Sequence, residues 1–151
     1  MRLSSAAFEE GTRIPRRFTA DGSDVSPALT WAEIPQGAKS LALIWDDPDA
    51  PRGVWVHWVL YDLPADRNEL PEAVPTSGTL TAGGRQGKND FGKLGYGGPA
   101  PPPGKPHRYF FKLYALDAAP ALPDSPTKKQ LETAMKGHVL AEAQLMGTYG
   151  R

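Results

Sequence analysis

Asp47-Pro48-Asp49-Ala50-Pro51, which runs into Trp55-Val56-His57, joins a stiff proline turn to a strand that contains a histidine. Later in the chain, Gly97-Gly98-Pro99-Ala100-Pro101-Pro102 and a short turn precede His107-Arg108-Tyr109. Proline fixes the backbone φ angle, so both turns are rigid. If the two strands lie together in a sheet, an aspartate, two imidazoles and a phenol converge on one small polar pocket.

The spacing within each strand supports this convergence. Side chains two residues apart on a strand point to the same face, so His107 and Tyr109 project together, as do Trp55 and His57. Asp47 follows the apolar run Ser40 to Trp45, which has the length of a strand buried on both faces. Strand ends and loops are where binding sites are usually built.

The rest of the chain is typical of a mostly β protein. It contains 16 prolines and 16 glycines, which favour short strands joined by rigid turns over long helices. The pattern predicts further strands at Ala28 to Trp31, Val54 to Tyr61 and Arg108 to Leu116. Residues 64 to 106 contain only short apolar pieces, and so long a loop inside a compact domain is usually functional.

One helix is predicted near the C-terminus. Ser125 can cap it, Pro126 occupies the first helical position, and Gly137 ends it. The tail from Val139 to Tyr149 fits both periodicities, and we interpret it as a strand. Since no repeat or linker divides the chain, residues 1–151 are expected to form a single domain.

Charge and composition exclude several classes of function. The 17 basic and 17 acidic residues balance, so no general electrostatic attraction to nucleic acid is expected. With no cysteine, disulfides and thiolate metal sites are absent. No apolar run is long enough to span a membrane, and the N-terminus lacks a signal-like segment. We expect a soluble, cytoplasmic protein without integral membrane association.

The residues of the predicted pocket suit an anion. Two imidazoles that can become cationic and a phenol hydroxyl supply convergent donors for the acceptor oxygens of a phosphate. A neighbouring carboxylate such as Asp47 orients a histidine tautomer and favours its protonation, so affinity should depend on pH near neutrality. His57 lies among aromatic residues and is expected to be half-buried.

Other interpretations compete with this one. Asp47, His57 and His107 also satisfy a metal site with two histidines and one carboxylate, although their spacing is not local. The run Pro99 to Pro103 can serve as a polyproline ligand. Gly83 to Asn89 fails as a phosphate-binding loop because the first glycine, the Ser/Thr and the following helix are missing. His138 is expected to be structural.

Four segments, in order, resemble the bacterial and archaeal branch of the phosphatidylethanolamine-binding protein family, also called Raf-kinase-inhibitor-like. They are Asp21 to Trp31, Asp47 to His57, Asn89 to Tyr109 and Gly137 to Ala141. The resemblance implies a β-sandwich with a large central antiparallel sheet, a smaller second sheet and one or two short helices. It also implies an anion pocket at one end of the sandwich.

The resemblance assigns individual residues to that pocket. Asp47, His57, His107 and Tyr109 match the ligand-contacting positions, and Pro101 with the turn Gly98 to Ala100 forms the rim. The remaining members of the predicted ligand-binding set are Pro48, Pro51 and Trp55. Ala100 stands where many prokaryotic relatives have a cysteine. Several of those relatives look like homodimers, so the resemblance implies a homodimer as one possible assembly, and the residues themselves leave the oligomeric state open.

These observations lead to one principal hypothesis and two alternatives. The principal hypothesis is a protein, not an enzyme and without a cofactor, that binds a small phosphorylated anion or phospholipid headgroup and can regulate a kinase or another enzyme. The first alternative is a metal-assisted hydrolase of a phosphoester that uses the same pocket. The second is an interaction module for a phosphorylated protein partner.

Overall fold

Eight strands form two antiparallel sheets in the computed structural model, which describes residues 1–151. The strands are β1 (Arg2–Ser4), β2 (Leu29–Ala32), β3 (Ser40–Asp47), β4 (Trp55–Pro64), β5 (Glu69–Leu70), β6 (Arg85–Gln86), β7 (His107–Leu116) and β8 (Val139–Tyr149). The larger sheet has the order β6-β4-β3-β7-β8, and the smaller has the order β1-β2-β5. The predicted β-sandwich with a large central sheet and a smaller second sheet is confirmed.

Strand β3 is the centre of the larger sheet. Every residue from Ser40 to Asp47 is buried, as the continuous apolar run predicts. Its neighbours β4 and β7 satisfy its backbone hydrogen bonds on both sides. Leu41, Leu43 and Trp45 lie in the core between the two sheets, whereas Ala42 and Ile44 lie in a second core on the opposite face. The alternation along β3 therefore supplies both cores.

The second core is covered by the helix α1 (Lys128–Met135), which places Leu131 and Met135 against the sheet. Its N-cap is Thr127, and not Ser125 as predicted. The Thr127 side chain accepts from the Gln130 backbone while the Gln130 side chain accepts from the Thr127 N–H, a complete capping box. Ser125 has a φ of 51° and lies in the turn before the helix. A second, three-residue 3-10 helix spans Arg16–Phe18.

The C-terminal segment is a strand, which confirms the choice between its two periodicities. β8 pairs with β7 from His107 opposite Tyr149 to Leu116 opposite Val139. The long connection between residues 64 and 106 contains only the two-residue strands β5 and β6. Neither helix has the length and apolar character that crossing a membrane requires.

Candidate functional site

Four polar side chains meet at one end of the larger sheet, on the face toward the smaller sheet. Asp47 ends β3, His57 lies near the start of β4, and His107 and Tyr109 begin β7. All four line one cavity of about 230 Å³. The antiparallel order β4-β3-β7 brings the start of two strands beside the end of the third, so the predicted convergence follows from the sheet topology.

His57 reaches the cavity by the predicted alternation with Trp55, and β4 becomes irregular directly after it. Trp45 pairs with Trp58 and Asp46 pairs with Val56, so His57 is one extra residue on β4. Trp58 packs in the core between the sheets while Val56 and Val59 lie on the opposite face, which leaves His57 and Trp58 on the same side. Such a β-bulge commonly re-aims a side chain near a site. Simple alternation would have placed His57 and Trp58 on opposite faces.

The His57 imidazole is almost fully buried, at 2% exposure, and not half-buried as expected. Its Nδ1 lies 2.8 Å from the carbonyl oxygen of Gly97. A carbonyl only accepts, so Nδ1 bears the proton and donates, and the neutral ring keeps Nε2 unprotonated. Burial lowers the pKa of His57 below its usual value of 6.5, more than the backbone carbonyl and the Asp47 and Asp46 carboxylates raise it. His57 is therefore neutral near pH 7.

His107 is oriented by Asp47. The His107 Nδ1 lies 2.7 Å from Asp47 Oδ2, with both side chains largely buried. Asp47 Oδ1 accepts from the backbone N–H of Asp49 at 2.7 Å, which fixes the carboxylate in the proline turn. Both carboxylate oxygens are thus engaged, and His107 Nε2 is the ring nitrogen without a protein partner. The two histidines share this arrangement, since each uses Nδ1 inside the protein.

Tyr109 adds a hydroxyl that stays protonated. Its ring is fully buried between His57 and His107, with centroids 5.4 Å and 6.5 Å away. Burial, together with the negative charge of Asp47, raises the pKa of the Tyr109 phenol well above its usual value. The hydroxyl is therefore a neutral donor at every pH near neutrality.

The first proline turn is tied to β7 by a bidentate ion pair. The Asp49 carboxylate accepts from the Arg108 backbone N–H and from both Nε and a terminal nitrogen of its guanidinium, at 2.8–2.9 Å. These bonds hold the pKa of Asp49 down at about 2. Ala50 and Pro51 then line the cavity. Pro48, which belongs to the predicted ligand-binding set, does not line it.

The second turn forms the opposite rim. Ala100, Pro101 and Pro102 line the cavity, whereas Gly98 lies behind the wall and faces Asp24. Pro99 and Pro101 are buried, so the proline run is not an exposed polyproline ligand. Trp55 lines the cavity as predicted and is 38% exposed.

Phe91 is a cavity residue that the predicted set lacks. It meets Trp55 edge-on at 5.5 Å and His57 edge-on at 5.3 Å, and it is 40% exposed. The long loop places it there through two pairs of hydrogen bonds. Asp90 bonds the backbone N–H and the carbonyl of Val56. Gly97 bonds the backbone carbonyl and the ring of His57. The sequence feature that could have indicated Phe91 as a cavity residue is an aromatic side chain in a polar loop, between Asp90 and Gly92.

The floor and mouth of the cavity differ in chemistry. Asp47, His57, His107 and Tyr109 are polar, while the mouth is formed by alanine, proline and the two aromatic rings. A neighbouring cavity of about 490 Å³ shares Pro102 and His107 with it and brings Lys105 and Arg108 to its flank.

Two other predictions concern the remaining polar groups. No three His, Cys, Asp or Glu side chains lie close enough to hold a metal ion, so the residues of the proposed metal set do not form a ligand cluster. His138 lies away from the cavity and bonds Asp117 Oδ1 through Nδ1 at 2.7 Å. This agrees with a structural role.

Comparisons with known proteins agree with this fold. The family described as phosphatidylethanolamine-binding protein matches residues 4–150. A UPF0098 protein of Methanothermobacter thermautotrophicus is 53% identical over 151 residues, which span 100% of this chain and 99% of the relative. A UPF0098 protein of Aquifex aeolicus is 46% identical over 153 residues, with 100% and 89% covered.

Solved structures give the same result. The crystal structure of Escherichia coli YbcL, described as a new member of the mammalian PEBP family, superposes with a TM-score of 0.92 at 33% identity, covering 99% of this chain and 98% of that one. The PEBP homolog CT736 of Chlamydia trachomatis gives 0.90 at 40% identity, with 99% and 97% covered. The chain belongs to the phosphatidylethanolamine-binding protein family.

Proposed function

We propose that the cavity binds a small phosphorylated anion, either free or as the headgroup of a larger molecule. The observation that supports this best is the shared arrangement of His57 and His107. Each ring uses Nδ1 for a bond inside the protein, to Gly97 and to Asp47, which leaves both Nε2 atoms for a ligand. With the Tyr109 hydroxyl they make three potential donors around one volume of about 230 Å³.

Protonation controls this donor set. A neutral imidazole whose Nδ1 donates to a protein oxygen presents Nε2 only as an acceptor, so it must gain a proton before it can donate to a phosphate oxygen. Burial opposes that proton on His57. A bound dianion restores it, because opposite charge at close range favours the cationic ring. Binding is therefore coupled to proton uptake and strengthens as pH falls.

The surroundings suit an anion with an organic substituent. Lys105 gives the flank of the cavity a positive charge beyond the neutral Asp49–Arg108 pair, and this charge attracts an approaching anion. Trp55 and Phe91 give its mouth an aromatic surface, against which the carbon atoms of a phosphoester can pack. The cavity is too small for a polymer, and a headgroup or a phosphorylated side chain fits its size.

The first test is a calorimetric titration with sulfate, phosphate and phosphoethanolamine at about pH 5.5 and about pH 7.5, on either side of the ordinary pKa of histidine. Sulfate keeps its charge across this range, so any pH dependence belongs to the protein. We expect saturable binding that is weaker at the higher pH. The variant His107→Ala should lower sulfate affinity at least about tenfold, since a charge-assisted bond is lost.

His138→Ala is the matched control. This third histidine also bonds a carboxylate through Nδ1 but lies away from the cavity, so its removal should leave sulfate affinity unchanged. Equal losses in the two variants, or no saturable binding at either pH, would refute the anion site. Release of phosphate from phosphoethanolamine with added divalent metal, abolished by His57→Ala, would favour the hydrolase alternative instead.

A further inference from the structure

A single peptide group links His57 to a second carboxylate. The carbonyl oxygen of Gly97 accepts from His57 Nδ1 at 2.8 Å, and the N–H of Gly98 donates to Asp24 Oδ1 at 2.8 Å. The Gly97 carbonyl and the Gly98 N–H belong to the same planar amide. The chain of contacts therefore runs from carboxylate to amide to imidazole without a break.

The electronic structure of the amide makes this chain directional. Resonance couples its nitrogen and oxygen, so a negative charge that accepts from the N–H pushes electron density onto the carbonyl oxygen. Hydrogen bonds in series polarise one another and strengthen by roughly 10–30% each. A carboxylate on the far side thus makes the Gly97 oxygen a stronger acceptor for the His57 proton. It also stabilises positive charge on the ring.

We propose that Asp24 is a positioning residue for the anion pocket, which holds the Gly97–Gly98 peptide in place and through it supports the protonation of His57. Its role in binding rests on the proposed function, whereas its effect on the imidazole does not. Each histidine of the pocket is then supported by a carboxylate on its Nδ1 side. Asp47 contacts His107 directly at 2.7 Å, whereas Asp24 is linked to His57 through one peptide group.

The tight fit of this peptide supports a specific role. A Cβ on Gly97 would lie 2.6 Å from the Phe91 ring, and a Cβ on Gly98 would lie 2.9 Å from Thr19 Cα and closer still to the Phe18 oxygen and Asp24. Only glycine fits at both positions, so the amide is held between the aromatic mouth of the cavity and the segment that contains Asp24.

The same segment is fastened to the rim by neutral bonds on either side. The Ala20 N–H donates to the Pro99 oxygen at 3.0 Å, and the Tyr96 hydroxyl donates to the Phe18 oxygen at 2.6 Å. These bonds place the segment without Asp24. Asp24 itself has a φ of 57°, a left-handed conformation that is uncommon for residues other than glycine, and in that conformation its carboxylate reaches the Gly98 N–H.

Several other groups act on the His57 ring. The Asp47 and Asp46 carboxylates favour the cation, burial opposes it, and the Tyr109 and Phe91 rings pack against it from β7 and from the loop. The other titratable groups that line the cavity are Asp47, His107 and Tyr109. Asp24 is the only carboxylate that acts through the bond to Nδ1.

The test uses nitrogen-15 NMR of the imidazoles, since the chain has only 3 histidines and each gives a separate set of signals. Asp24→Asn keeps an acceptor oxygen but removes the charge. We expect His57 to remain the Nδ1–H tautomer with a lower pKa, and sulfate affinity to fall about threefold. Asp24→Ala removes the acceptor as well, so the pKa of His57 should fall further and affinity should fall about tenfold, while the Gly97 carbonyl still holds the Nδ1–H tautomer.

Asp117→Asn is the matched control, because Asp117 bonds His138 Nδ1 directly at 2.7 Å. It should change the signals of His138 and leave those of His57 unchanged. The signals of His138 and His107 also report whether the Asp24 variants are folded, and Asp24→Asn is the deciding variant if Asp24→Ala does not fold. An unchanged pKa of His57 in folded Asp24→Asn would overturn the proposal.

The two readouts separate this proposal from the function on which it rests. If the His57 signals respond to Asp24 but sulfate does not bind to the unaltered protein, the anion function fails and the coupling through the peptide stands. If sulfate binds and neither Asp24 variant alters the His57 signals, the anion function stands and Asp24 is not a positioning residue.

Discussion

Asp46 and Asp47 are neighbours in sequence, equally buried, and serve the two faces of the larger sheet in different ways. Asp47 faces the cavity and meets His107 at 2.7 Å. Asp46 faces the helix side, where Lys128 Nζ lies 2.7 Å away and Lys112 Nζ lies 3.4 Å away. One carboxylate is paired with an imidazole, and the other with two lysine ammonium groups, which are permanent cations near neutral pH.

Asp46 is therefore a carboxylate held by two lysines, whereas Asp47 orients a histidine of the proposed anion pocket. Lys128 begins α1, where a positive charge opposes the helix dipole, and its contact with Asp46 explains that position. On the cavity face the partner of the carboxylate is an imidazole, and only its Nδ1 is used by Asp47.

Removing a permanent cation should cost the most stability. In Lys128→Met the buried Asp46 carboxylate keeps only the more distant Lys112, and breaking a buried pair in this way typically costs 3–5 kcal/mol. Because Lys112 and residual solvent compensate in part, we expect the free energy of unfolding to fall by about 3 kcal/mol. Chemical denaturation measures it, and sulfate affinity should not change.

The double variant Asp46→Asn with Lys128→Met is the control for this prediction. It removes both charges together, so it should recover much of the lost stability. A double variant less stable than Lys128→Met would show that Asp46 contributes through something other than its charge.

Removing the charge on the cavity face should cost less. In Asp47→Asn the amide oxygen can still accept from His107, but the NH2 group then faces the Asp49 N–H, so the charge and one backbone hydrogen bond are lost, about 2 kcal/mol of unfolding free energy. Asp49→Asn, which alters the more exposed pair with Arg108, should lose less than about 1 kcal/mol. Denaturation of both variants at neutral pH gives the comparison. A larger loss in Asp49→Asn would reverse our ranking of the two aspartates.

The two faces should also differ in their response to pH. The pKa of His57 is lowered in the folded state, so above about pH 6.5 the ring is neutral in both states and adds no pH dependence. As pH falls below about 6.5, the unfolded chain binds the proton first and stability decreases, by up to about 1.4 kcal/mol for each unit of difference. Asp49 and Asp21, with pKa values of about 2, lose their contributions only at much lower pH.

His57→Asn tests this directly, because its amide N–H can replace Nδ1 as donor to Gly97. The decrease in stability between about pH 6.5 and about pH 5 should become shallower in this variant. Saturating sulfate should offset the decrease in the unaltered protein, since it binds the protonated ring. The loss caused by Lys128→Met should be equal at both pH values, and a loss that changes with pH would contradict the assignment of permanent charge to that face.

The contrast also explains what the sequence could predict. Alternation along β7 correctly placed His107 and Tyr109 on one face, because that strand is regular in this region. It could not place His57 relative to Trp58, since the bulge is a property of the pairing between β3 and β4 and leaves no local pattern.

Contacts between residues far apart in the chain also could not be predicted from the sequence. The bond from Gly98 to Asp24 joins residues 74 positions apart, and neither residue type indicates the other. Similarly, Ser125-Pro126 satisfied the local pattern of a helix start, but Thr127 with Gln130 offered two reciprocal bonds and became the cap. Local chemistry predicts which elements form, and tertiary contacts decide their exact ends and orientation.

The smallest effect is expected for the Tyr109 hydroxyl. Its protein partner is the Asp47 carboxylate, which is also held by His107 and by the Asp49 N–H, so Tyr109→Phe should change the free energy of unfolding by less than about 1 kcal/mol. Sulfate affinity should fall about fivefold, which corresponds to about 1 kcal/mol for one neutral hydrogen bond. Because the pKa of Tyr109 is raised, the phenol is protonated at every pH of the titration, and the loss should be the same at about pH 5.5 and about pH 7.5. A loss confined to one of these pH values would mean that Tyr109 acts through the protonation of the histidines and not as a donor to the anion.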